Sequence, residues 1–188
     1  MYLNGYLSSE KQSDTESSST RMVPLLEPAQ LLQAISGRCT SSGRLVQWAR
    51  DLGAMHAELI PFELHPAGQK RCLATERIRA GIDRIIAQID EWAIYHVPRA
   101  KSARKHTHSL GEVMSHMAQT YAQAWWIVLH SPDEEKRHQA WFHMGEAREG
   151  YAEMVDEIRS RHLQLPLGWA AQMRTNVGGL GDGSQQSA

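Results

Sequence analysis

The chain has 188 residues, with 20 basic against 21 acidic side chains and a pI near 6.8. That length suits one domain with a sizeable core. The near-neutral balance excludes a surface built throughout for nucleic acid or anionic lipid and leaves only local charged patches.

Residues 1–24 are rich in serine, threonine and charge and hold too little apolar surface to order themselves, so they read as a disordered tail. This stretch has neither a basic start nor an apolar run, nothing in it directs export, and a cytoplasmic protein is expected. Met22 offers a second candidate start beside Met1. Cys39 and Cys72 lack CxxC spacing and read as reduced thiols.

Residues 25–168 predict an all-α domain, an antiparallel bundle of three long helices braced by two short N-terminal ones. The first helix runs from Pro28, a proline suited to the first turn, to Gly37 as its stop. The second covers Gly43 to Leu59, with Leu45, Trp48, Ala49, Leu52, Met55 and His56 on one side. Pro61 and Pro66 then bracket a linker. The third runs from Gln69 to His96, where Val97-Pro98 forbids continuation. Its residues Ile78, Ile82, Ile85, Ile89, Trp92 and His96 recur at steps of three and four and form an inward face.

Ser109-Leu110-Gly111-Glu112 opens the fourth helix as a capping box, and that helix ends near His130. Ser131-Pro132-Asp133-Glu134 opens the fifth, which continues to about Leu163 before Pro166 stops it. So short a turn makes these two helices antiparallel. No strand-like alternation is visible. Residues 169–188 read as a second flexible tail, whose glycines follow no strand and precede no helix.

The twenty residues between Glu112 and Asp133 include no Asp, Glu, Lys or Arg. That absence predicts a central helix, dry from Val113 through Leu129. Ser115, His116, Gln119, Thr120 and Gln123 interrupt it too often for a membrane span.

Several segments resemble a known bacterial family. They are Ile89-Asp90-Glu91-Trp92 with His96 and Pro98, then Thr107 and Ser109-Leu110-Gly111, and later Trp141, Gly150-Tyr151 and Arg161 through Pro166. Together, from Gln33 to Pro166, they look like the family called domain of unknown function 4254. The resemblance implies an α-helical domain and brings no catalytic residues. Where that family has an acid before the serine, this chain has His108.

Two functional readings follow. Projected at 3.6 residues per turn, the fourth helix sets Leu110, Val113, Met117, Tyr121, Ala124 and Val128 inward and Trp126 on the opposite side. Phe142 likewise stands opposite the apolar side of the fifth helix. These misplaced aromatics predict a binding or scaffolding module, homodimeric through the Trp126 and Phe142 faces. The rival reading is a small enzyme or ligand-binding domain for an anionic metabolite or metal. Antiparallel stacking brings His96, Glu112, His116, Arg148 and Tyr151 to one level, and Glu112 and His116 have the spacing of paired ligands. The plainer alternative is that Glu112 caps its helix and pairs with Arg148. With no HExxH and no repeated ExxH, no metal is assigned and the cofactor is left open.

Arg99, Lys101, Arg104 and Lys105 form a basic loop between the third and fourth helices. Such cations complement a helix C-terminus or hold a phosphate or carboxylate. The loop has no aromatic residue, so no base-stacking surface for nucleic acid is indicated.

Overall fold

A computed structural model describes residues 23–64 and 69–166, without side chains at 63–64 and 69–72. Met22 and most of both predicted tails lie outside the described residues. Five helices follow in order: α1 (Pro28–Ile35), α2 (Arg44–Leu64), α3 (Gln69–His96), α4 (Leu110–His130) and α5 (Glu134–Arg159). The all-α expectation holds, and α4 is the central element, packed against each of the other four helices.

Local chemistry explains most boundaries. Ser109 accepts from the Glu112 amide (3.2 Å) while Glu112 accepts from the Ser109 amide (2.7 Å), which closes the predicted capping box. Asp133 caps α5 by accepting from the Lys136 amide at 3.3 Å. Along α3, Ile78, Ile82, Ile85 and Ile89 are buried as their spacing predicts, whereas Trp92 is half-buried and His96 exposed.

The second helix departs from expectation. It is not a short brace ending at Leu59 but a 21-residue helix with Pro61 inside it, as long as α4. Proline removes one amide donor, here only in the last turn. Buried Leu59 and Ile60, with Phe62 packed against the core, hold that turn helical.

Two helix pairs approach so closely that only glycine fits. A Cβ on Gly111 would lie 2.5 Å from the Ile86 carbonyl oxygen of α3, and one on Gly53 would collide with the Ile35 carbonyl of α1. The central helix is also less dry than predicted. Met114, Met117, Ala118 and Ala124 are buried, but Trp125 is 40% and Leu129 61% exposed. The inward side is rotated too, since Met114 is buried where Val113 and Val128 are only half-buried.

Helix α5 ends at Arg159, four residues before the predicted Leu163. Ser160 caps it, the Arg161 amide donates to Ile158 O (3.1 Å) and the His162 amide to Glu157 O (2.9 Å). Arg161 has φ +62°, the left-handed conformation that usually belongs to glycine at this position. The chain then forms a strand the sequence does not signal. β1 (Arg104–Lys105) pairs in parallel with β2 (Leu163–Gln164), with Arg104 N donating to His162 O and His106 N to Gln164 O. Two-residue strands are too short to show alternation.

The segment before α1 is strapped onto α5. Val23 and Leu25 are buried, the Tyr151 hydroxyl donates to Leu26 O at 2.9 Å, and Arg159 pairs with Glu27 at 2.6 Å. Burial pushes the Tyr151 phenol well above its ordinary pKa, so it serves as a permanent donor.

Candidate functional site

The strongest candidate site is a groove of about 380 Å³ between α1, α2 and α4. On α2 its wall consists of Gly53, Ala54 and Ala57, spaced one and three apart and therefore on one side of the helix. The two exposed alanines leave a slot opposite the large Tyr121, Trp125, Trp126 and Leu129 of α4, while the Ile35 carbonyl fills the space beside Gly53. The C-terminal turn of α1 closes one end, with Arg38 beside it and Arg50 on α2.

The aromatic side is built by i,i+4 contacts. The Tyr121 and Trp125 rings stack with centroids 6.5 Å apart and planes 4° from parallel. The His130 ring stacks on Trp126 at 3.8 Å, and its Nδ1 bonds Trp126 O at 2.9 Å. The same Trp-x-x-x-His device recurs at the end of α3, where His96 stacks on Trp92 at 4.4 Å and its Nδ1 bonds Trp92 O at 2.7 Å. In each case an imidazole sits at a helix C-terminus, stacked on the indole one turn before it.

Arg50 donates to Cys39 O at 2.8 Å, which fixes the segment after α1 against α2 and holds the guanidinium at the groove. Among the described residues neither Arg38 nor Arg50 has a carboxylate partner. Apolar walls beside two such cations suit a guest with an apolar body and an anionic head. Sequence reasoning singled out Trp126 but not the groove. The available signal was the small-residue stripe Gly53, Ala54 and Ala57, which acquires meaning only once α2 is seen facing the two tryptophans.

The structure does not gather His96, Glu112, His116, Arg148 and Tyr151. No hydrogen bond or ion pair among the described residues joins any two of them. Glu112 turns back to its own cap and lies 3.7 Å from His108, so the expected pair with Arg148 is not formed. Tyr151 turns towards the strap, and His96, His116 and Arg148 are exposed. Equal rise had predicted a common height, but height does not decide the direction a side chain takes. Among the described residues no three metal-ligating side chains come together. The basic loop also divides: Arg104 pairs with Glu157 at 2.8 Å, while Lys101 and Lys105 are exposed.

Two buried polar pairs escaped sequence reasoning. His56 on α2 bonds Ser115 on α4 through Nε2 at 2.9 Å, and both are buried. Burial, assisted by the nearby His116, pulls the His56 pKa from 6.5 down to about 4, so the ring is neutral. Asp90 on α3 accepts from the Gly111 amide at 2.8 Å and from the Ser109 hydroxyl. Burial raises its pKa, the Gly111 amide and Ser109 hydroxyl oppose the rise, and Glu112 adds to it. Both pairs sit between helices and pin α4 to its neighbours.

No family model, no curated protein and no solved structure matches this chain.

Proposed function

We propose that the protein is a binding module whose α1/α2/α4 groove takes an amphipathic anionic guest. One observation carries this reading: Ala54 and Ala57 open a slot against Tyr121, Trp125 and Trp126, with Arg38 and Arg50 at the same groove. Its volume of about 380 Å³ falls within the range for small-molecule sites. Trp125, at 40% exposed, is a large aromatic surface left wet, which a guest would cover.

Anilinonaphthalene sulfonate, an anionic fused aromatic, is a direct probe. Titration into the full chain is expected to give saturable fluorescence from one site. Ala54→Trp, which fills the slot from an exposed helix position, abolishes that signal, and Arg38→Gln weakens binding roughly tenfold. Unchanged binding to both variants overturns the reading.

Self-association is a second reading, supported by Trp141 (44% exposed) and Phe142 (59% exposed) on α5. Trp126 lines the groove and stacks on His130, so any dimer face centres on α5. Sedimentation of the wild type and Phe142→Ser tests it, and a monomer at high concentration ends it. Kinship with the domain of unknown function 4254 family and a cytoplasmic setting belong to the same proposal. Among the described residues no helix is long and apolar enough to cross a membrane, and Cys39 is an unpaired thiol.

A further inference from the structure

A second cavity, of about 740 Å³, lies where α3 and α5 both end. Tyr95 and His96 stand on its α3 side, Arg99 on the segment that follows, and Arg161 just beyond α5. Arg161 is the unusual member. Helices α1 and α5 finish with the same motif: a serine cap, then a left-handed residue, then paired amide bonds back to the helix. After α1 the sequence is Ser36-Gly37-Arg38, with Gly37 N to Ala34 O and Arg38 N to Gln33 O. After α5 it is Ser160-Arg161-His162, with Arg161 N to Ile158 O and His162 N to Glu157 O. Gly37 at φ +73° adopts this conformation freely, whereas Arg161 at φ +62° adopts it against a Cβ penalty. Backbone geometry therefore favours glycine at position 161, and the arginine needs another reason.

Internal partners do not supply that reason. Nearby Arg104 and Arg159 are paired with Glu157 and Glu27, but among the described residues Arg99 and Arg161 meet no carboxylate. The ends of both helices are capped by backbone amides: Val97 N donates to Ala93 O, and Ser160 N to Asp156 O. Arg99 is held in place, since the Gln164 amide, oriented to suit its neighbours, accepts from Arg99 Nε at 2.9 Å and from Arg99 Nη2, and donates to Ala100 O at 2.9 Å. Tyr95, 77% exposed, offers a ring beside these groups.

We propose that this cavity binds a phosphate monoester carrying an aromatic group. The phosphate sits between the Arg99 and Arg161 guanidiniums, and the ring lies against Tyr95. A dianion with three terminal oxygens can accept from the free Nη end of Arg99 and from the Arg161 fork together, with more acceptor sites than a single carboxylate has. The site is separate from the groove and does not depend on it.

Calorimetric titration of phenyl phosphate into the full chain tests the proposal, with benzoate and inorganic phosphate as comparisons. Saturable binding is expected, roughly tenfold or more weaker for benzoate and for Arg99→Gln. Arg161→Gly is the decisive variant. It removes the backbone strain, so its melting temperature should equal or exceed that of the wild type while phenyl phosphate binding falls roughly tenfold or more. A purely structural arginine would leave binding unmoved, and that result overturns the assignment, as does a wild type that shows no saturable binding. Equal affinity for inorganic and phenyl phosphate would overturn the role given to Tyr95.

Discussion

Protonation of one buried residue, His56, should destabilise this protein in acid. Its imidazole is enclosed between α2 and α4, bonded to Ser115, with its pKa drawn down to about 4 by burial and by His116. In the unfolded chain the ring titrates near the ordinary histidine value of 6.5. Between these values the unfolded state binds a proton that the folded state refuses, so stability rises with pH. The contribution is complete above 6.5 and is lost as pH falls through 6.5 towards about 4. The full gap corresponds to roughly 3 kcal/mol, and about 2 kcal/mol of it disappears between neutral pH and pH 5. Urea denaturation followed by circular dichroism, at about pH 7.5 and about pH 5, measures the loss. Because carboxylates and the other histidines also titrate, the telling quantity is the difference between wild type and His56→Gln, whose amide can still bond Ser115. The wild type should lose about 2 kcal/mol more than the variant over that interval. Equal losses would refute the assignment of a buried, neutral imidazole at this position.

Four further outcomes are expected. Gly111→Ala forces a Cβ to within 2.5 Å of Ile86 O and 3.0 Å of the Asp90 carboxylate, so α3 and α4 must separate at a cost of about 2 kcal/mol despite alanine's better helix propensity. Gly145→Ala on α5 meets nothing within 4 Å and should gain up to about 1 kcal/mol, so the same chemical change has opposite signs at two helical sites in thermal denaturation. Tyr151→Phe keeps the buried ring but strips Leu26 O of its donor, with an expected loss of about 1–2 kcal/mol by urea denaturation. Ser109→Ala removes both the α4 cap and a donor to Asp90, and should cost at least about 1 kcal/mol by the same assay.

What could be read from the sequence was mostly local. The Ser109–Glu112 box, the Asp133 cap and the proline after α3 are decided within a few residues of themselves, so the ends they mark were legible. Pro61 was not, because the rule against helical proline is local while Leu59, Ile60 and Phe62 are held by the distant core. The inward face of α4 was misjudged for a related reason. A helix touched by four others has no single apolar stripe to project, so burial of Met114 rather than Val113 is decided by neighbours. The same limit applies to the sites. Trp126 drew notice as an oddity, but the groove needs Ala54 and Ala57 placed opposite it, and the cavity at Arg161 needs the ends of α3 and α5 brought together.

Asp90 gives the start of α4 an owner on another helix. The carboxylate that receives the Gly111 amide and the Ser109 hydroxyl arrives from α3, the preceding helix, 21 residues before Gly111. A peptide beginning after Pro98 would carry the serine and glutamate of the cap yet lack its third member. The first turn of α4 therefore matures only when α3 docks, which makes assembly of that corner a joint event rather than the addition of finished rods.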